Sequence, residues 1–285
     1  MSQQILQRPD PSEYKRLFRV AVLTSAAAGM LERQRARLRE QVEILGVEID
    51  NISQRQFLAE LTRGVIFTPN VDHLMKLQEN KEFQEAYRQA DYKVCDSQIL
   101  MYASKLLGKP LKEKISGSDL LPLFCNYHQH NEGITIFLLG GAKGVAKQAQ
   151  ANINDRVGRE MVIAAHSPSF GFEKDEAECQ AIIDTVNNSG ATVLAVGVGA
   201  PKQELWIAKY RSQMPGVNIF MAVGAALDFE AGNKPRAPQF WSQLGLEWLY
   251  RLLSEPRRLW KRYLLDDLPF FKLLLEQKLK QGVKK

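Results

Sequence analysis

The chain has 285 residues, 45% of them hydrophobic and 25% charged. This is enough for one sizeable core with an appendage, or for two small domains, and the charged fraction is ordinary for a globular protein. No stretch approaches the roughly 20 apolar residues that a membrane-crossing helix needs. The net charge of +6 is unevenly spread: residues 244–285 carry ten basic and five acidic side chains, so nearly all of the excess lies there and points to an anionic partner such as lipid headgroups, a diphosphate or nucleic acid.

Residues 1–45 read as an N-terminal extension, with a strand at 18–24 and a charged helix at 32–41. The apolar run 20–31 follows Lys15, Arg16 and Arg19, as a signal peptide would. Asp10 and Glu13 precede it and Thr24 and Ser25 interrupt it, so secretion is the lesser reading. From 65 onward short apolar runs alternate with helical patterns. The runs are 65–67, 92–95, 134–139, 161–165, 192–196 and 218–222; the helical patterns include 71–89, 143–157, 173–188 and 201–212, the last with Pro201 in its first turn. Such alternation implies an α/β fold, a Rossmann-like and mostly parallel sheet covered on both faces, over residues 46–243. Beyond 244 the sheet pattern stops, and 245–253 and 259–279 read as helices of a basic appendage. Cys95, Cys125 and Cys179 form no C-x-x-C pair and read as reduced thiols, while His73, His128, His130 and His166 lack zinc-ligand spacing.

Ligands of open parallel sheets bind beyond the carboxyl ends of the strands. There the sequence places Thr68-Pro69-Asn70, Asp96-Ser97, Gly140-Gly141-Ala142-Lys143-Gly144, residues 166–171, then Gly197-Val198-Gly199-Ala200-Pro201-Lys202-Gln203-Glu204, and Val223 to Phe229. Six consecutive edges of small or polar residues argue for a single cleft. The glycines at 140, 141 and 144 either let a phosphate approach a helix N-terminus or make a tight strand–helix turn. Asp96 either takes a proton from an acceptor hydroxyl or caps the following helix. Asp119, in Gly117-Ser118-Asp119-Leu120, is a helix-start aspartate or a ligand contact. No D-x-D triplet occurs, so no metal is inferred.

As a set, these motifs resemble the WecG/TagA/CpsF glycosyltransferases (family 26). Phe229-Glu230-Ala231-Gly232, Arg236-Ala237-Pro238, Gly245-Leu246-Glu247-Trp248-Leu249-Tyr250-Arg251 and Glu255-Pro256-Arg257-Arg258-Leu259-Trp260-Lys261-Arg262-Tyr263 extend the match, which spans about 47–265. Ser97 stands where the family usually has Gly, and Ser118 where it has Thr. The resemblance implies an inverting transferase that uses a UDP-sugar without metal or other cofactor. Its sugar would be an N-acetylhexosamine such as N-acetylmannosamine, or a uronic acid. Its acceptor would be an undecaprenyl-diphosphate-linked saccharide at the inner face of the cytoplasmic membrane, reached by a cytoplasmic, peripherally bound protein. It also implies Asp96 as general base with Thr68 and Asn70 beside it, and Gln203, Glu204 and Asp228 near the nucleotide. Arg251, Arg257, Arg258 and Arg262 would lie at the acceptor diphosphate or membrane. Gly117, Ser118, Asp119, Gly140, Gly141, Lys143, Gly199, Pro201, Lys202, Gly224 and Arg236 complete the expected substrate contacts. A nicotinamide oxidoreductase would need a G-x-G-x-x-G with a later acidic partner, a pairing the chain lacks. A non-catalytic membrane module is disfavoured by Asp96. Nucleic-acid binding is disfavoured by the acids interspersed in the tail; a homo-oligomer stays open. The basic appendage is expected to be removable without unfolding the core.

Overall fold

A computed structural model describes residues 39–234, 241 and 247–283. The expectations for residues 18–24, 20–31 and 32–38, for Arg236 and for the start of the helix at 245 lie outside these. Gln41 does not end a helix, as the charged pattern over 32–41 suggests, but opens a hairpin. Strands β1 (Gln41–Ile44) and β2 (Val47–Asp50) pair antiparallel, joined by Leu45 and Gly46. Both turn residues have positive φ, the geometry whose twist suits a two-residue hairpin. The Oδ2 of Asp50 accepts the Lys93 N–H at 2.7 Å and ties the hairpin to the main sheet.

Then follow α1 (Gln54–Glu60), β3 (Gly64–Phe67), α2 (Val71–Glu79), α3 (Lys81–Arg88), β4 (Tyr92–Lys93), α4 (Gln98–Leu106), α5 (Gly117–Tyr127), β5 (Ile136–Gly140), α6 (Val145–Val157), β6 (Val162–His166), α7 (Glu176–Ser189), β7 (Val193–Gly197), α8 (Lys202–Tyr210), β8 (Ile219–Ala222) and α9 (Ala226–Glu230). The six expected strands are all present and form one parallel sheet in the order β4-β3-β8-β7-β5-β6. The fold is the α/β class that the alternation implied.

Period-two alternation divides the strands between two cores. Val65, Phe67, Phe137, Leu139, Leu194, Val196, Phe220 and Ala222 face one, with Leu74, Phe83 and Trp206 from the helices. Ile66, Ile136, Leu138, Val193, Ala195, Ile219 and Met221 face the other, with Phe124, Ala146 and Leu227. The single helix expected over 71–89 is two, because Asn80 takes an extended conformation and its side chain accepts the Phe83 N–H, capping α3.

The C-terminal segment forms α10 (Glu247–Ser254), α11 (Pro256–Lys261), a π-turn at Arg262–Asp266, and α12 (Pro269–Val283). Phe270 and Leu274 of α12 are buried in the first core, and the Gln277 side chain accepts the Leu45 N–H at 2.9 Å and donates to the Glu43 carbonyl at 3.2 Å. Removing residues 244–285 therefore opens a core, which corrects the expectation that the segment detaches without consequence. Among the described residues no helix is long and apolar enough to cross a membrane.

Candidate active site

The carboxyl edge of the sheet carries two linked constellations. At the β3/β4 end the Asp96 N–H donates to the Pro69 carbonyl at 2.9 Å, holding the two strand exits together. Thr68 is buried, whereas Asn70 and Asp96 are half-buried. Asn70 caps α2, its Oδ1 accepting the His73 N–H at 3.1 Å. Asp96 does not cap α4: the cap is Ser97, whose Oγ accepts the Leu100 N–H. Ser97 has φ −160°, an extended conformation that needs no glycine.

Gly117, at the start of α5, closes this corner. A Cβ there would lie 2.8 Å from Thr68 Oγ1 and 3.6 Å from Asp96 Oδ2, so the missing side chain lets the helix start against both. Ser118 Oγ lies 2.7 Å from Ser116 Oγ, a buried hydroxyl pair beneath the corner. Asp119 faces away: with Gln54, Lys114, Asn126, Arg156 and Glu230 it lines a separate cavity of about 480 Å3 along the outer side of α5.

Beyond β8, β7, β5 and β6 lies a cleft of about 630 Å3. Its lining includes Gly141, Lys143, Gly199, Lys202, Gly224 and Asp228 of the expected contacts, Phe170 and Gly197 of the strand edges read from the sequence, and also Glu173 and Lys234, which the motif reading did not single out. Its floor is bare backbone. A Cβ on Gly140 would come within 2.4 Å of the Gly197 carbonyl oxygen, and one on Gly197 within 2.7 Å of that of Gly224. Gly140 also has φ +138°, open only to glycine at low cost. Gly140→Ala is expected to force these strand ends apart, with a loss of about 1–3 kcal/mol or more, since backbone cannot yield as a side chain can. Chemical denaturation and nucleotide titration of the variant check this; wild-type values for both would show that the floor tolerates a methyl group. Three lysines surround the floor. Lys202 Nζ pairs with Glu173 at 2.9 Å, and Lys234 Nζ lies 3.9 Å from Asp228 and 3.1 Å from Glu255.

Gln203 and Glu204 stand behind this cleft, both buried. Gln203 Oε1 accepts the N–H groups of Gly199 at 3.3 Å and Gly224 at 3.1 Å, and its amide donates to Glu204 Oε1 at 2.8 Å. Gln203 thus shapes two of the cleft's turns from within. Pro201 follows a cis peptide bond and caps α8.

Of the four tail arginines, Arg262 is brought to the site. Its Nη2 donates to Asn70 Oδ1 at 3.4 Å and lies 3.5 Å from Asp72 Oδ2. Arg257 is exposed on α11, and the side chains of Arg251 and Arg258 lie outside the described residues. Around Arg262 runs an ionisable cluster. Burial raises the Asp72 carboxyl, but Arg262 and Lys76 outweigh it and the net shift is downward. Burial pushes His73 down to about 3, and its Nδ1 lies 2.5 Å from Tyr87 Oη. Burial pushes Glu204 and Asp267 up to about 7, and each keeps one carboxyl oxygen without a hydrogen-bond partner.

For Glu204 the sign follows directly. The folded state holds its proton more tightly than the unfolded chain does, so its contribution to stability is full below about 4.5 and is lost as pH rises to about 7. His73 acts oppositely, being kept neutral while the unfolded chain protonates below about 6.5. The Glu204 contribution is isolated by comparison with Glu204→Gln. Between pH 5 and pH 8 the wild-type melting temperature is expected to fall relative to the variant's; parallel curves would contradict the buried acid.

The carboxyl edge of the parallel sheet thus combines a glycine floor, lysines around it and a carboxylate at the β3/β4 end. The model of the Glycosyl transferase WecG/TagA/CpsF family matches residues 42–284, and the chain belongs to that family. It is a glycosyltransferase, and the family places it in polysaccharide biosynthesis. Among the described residues no three His, Cys, Asp or Glu side chains come together as a metal-ligand group.

Proposed function

We propose that the protein is an inverting, metal-independent transferase that moves a sugar from a UDP-sugar to a polyprenyl-diphosphate-linked saccharide at the inner face of the cytoplasmic membrane. The sugar is an N-acetylhexosamine, such as N-acetylmannosamine, or a uronic acid. The observation that carries the reading is the division of one sheet edge: Thr68, Asn70, Asp96 and Gly117 meet at the β3/β4 end, and the glycine-floored cleft with Lys143, Lys202 and Lys234 lies beyond the adjoining β8. The donor diphosphate lies on the floor, where backbone approaches closely and lysines offset its charge. The acceptor hydroxyl enters beside Asp96. Its oxygen attacks the anomeric carbon as the bond from that carbon to the UDP oxygen breaks, its proton passes to Asp96, and UDP departs with the bonding pair. Arg262, reaching Asn70 from the tail, is suited to an anionic acceptor arriving from that side.

The test is a thermal shift in chelator-treated buffer. UDP at a hundred times its Kd is expected to stabilise the protein by about 2.7 kcal/mol, a rise of several degrees for a chain of this size. A rise that appears only with Mg2+ or Mn2+, or only with a nicotinamide dinucleotide, would sink the reading in part or whole. Incubation with a panel of UDP-sugars and a short-chain polyprenyl-diphosphate sugar then identifies donor and acceptor.

A further inference from the structure

The tail and helix α2 meet through a buried carboxylate. Asp72 lies in the first turn of α2 and is only 6% exposed. A first-turn acid complements the helix dipole from solvent as well, and burying an ionised carboxylate is costly unless a cation faces it. Two cations do. Lys76, one turn along α2, donates to Asp72 Oδ2, and Arg262 Nη2 lies 3.5 Å from the same oxygen. Burial raises the Asp72 carboxyl, but Arg262 and Lys76 outweigh it, so Asp72 stays ionised.

Arg262 opens the π-turn, in which the Asp267 N–H donates to the Arg262 carbonyl at 2.8 Å. Such turns often mark functional sites. Asp267 is buried there too, yet burial pushes its carboxyl up to about 7, and its Oδ1 has no hydrogen-bond partner. Of these two carboxylates, Asp72 is therefore the one that holds Arg262. The same Nη2 donates to Asn70 Oδ1 at 3.4 Å, so the pair with Asp72 fixes the guanidinium at the corner where Thr68, Asn70 and Asp96 meet.

We infer that Asp72 is a positioning residue for the transfer: it aims Arg262 at the diphosphate of the acceptor while touching no substrate itself. A guanidinium already held in one orientation loses less freedom when a diphosphate binds it than a mobile arginine does. The proposal rests on the lipid-acceptor reading and deepens it, since its effect falls on the acceptor and not on the donor.

The experiment measures initial rates across acceptor and UDP-sugar concentrations for wild type, Asp72→Asn, Asp72→Glu, Arg262→Gln and the double variant Asp72→Asn with Arg262→Gln. Asparagine keeps the size of Asp72 and removes its charge. Asp72→Asn is expected to raise the acceptor KM about 10- to 150-fold, the worth of a hydrogen bond to a charged group, and to leave the donor KM within about twofold. Asp72→Glu, which keeps the charge, is expected to recover part of the loss. In the Arg262→Gln background, Asp72→Asn is expected to add less than about twofold, because Asp72 acts through Arg262. An unchanged acceptor KM in Asp72→Asn or in Arg262→Gln, a donor KM that rises equally, or effects that multiply in the double variant overturn the positioning role alone. A wild-type protein that transfers no sugar to a polyprenyl-diphosphate acceptor overturns the acceptor reading, and the role of Asp72 with it.

Discussion

Asp96→Asn is expected to lower turnover about 10²–10⁴-fold, the usual worth of a positioned general base. The substitution keeps size and removes the proton acceptor. Its specificity comes from local structure. Ser97, not Asp96, caps α4, so the change leaves that helix start intact. The Asp96 N–H bond to Pro69 is a backbone bond and survives. UDP affinity is expected to persist, because the cleft proposed for the donor lies across β8, β7, β5 and β6. Single-turnover rates with saturating UDP-sugar, alongside a UDP titration, make the measurement. A variant that turns over like wild type would remove Asp96 from the chemistry, whereas one that loses UDP binding as well would move it to the donor site.

The second large effect concerns α12, whose two apolar faces are expected to behave differently. Phe270 is fully buried and Leu274 nearly so, packed with the hairpin and α2. Phe270→Ala is expected to destabilise the protein by about 3–5 kcal/mol, the cost of emptying a core aromatic site. One residue on, Phe271 is 50% exposed and shares a stripe with Leu268, Leu275 and Leu279. Lys272, Lys278 and Lys280 are exposed on the same helix. An apolar stripe flanked by lysines is the pattern of a helix lying in a lipid interface, where each basic side chain adds about 1 kcal/mol of attraction to anionic headgroups. Replacing Phe271, Leu275 and Leu279 by serine is therefore expected to change stability by only about 0.5 kcal/mol per site. The same variant is expected to lose sedimentation with anionic vesicles and transfer to a lipid acceptor, and to keep UDP binding. Full vesicle binding by the serine variant would refute the membrane role of this face. Truncation at 244 cannot separate the two roles, because it removes Phe270 and Leu274 together with the stripe.

The legibility of the chain follows the range of the forces involved. The six strands were readable because the four inner ones bury both faces, and even the partly buried edge strands β4 and β6 keep a short run bounded by turn residues; their class and parallel pairing followed. The hairpin at 41–50 was not, since its alternation is short and adjoins a charged stretch. The break at Asn80 was missed because the flanking residues keep helical periodicity, and only the cap geometry interrupts it. The glycines at 117, 140 and 197 could be counted in the sequence, but what each one approaches could not.

The sequence by itself determined the fold class, the edge of the sheet that carries polar residues and, through blocks such as Pro201-Lys202-Gln203-Glu204, the family. Those are encoded locally, in periodicity and in contiguous motifs. The tertiary structure alone decided that Gln203 and Glu204 lie behind the cleft, that Asp119 faces a different cavity, that Arg262 reaches Asn70 across 192 positions, and that Phe170 stands exposed at the cleft rim. Each of these depends on which strands are neighbours and on which face a helix presents after packing. Such facts arise from contacts between residues far apart in the chain, and no local pattern carries them.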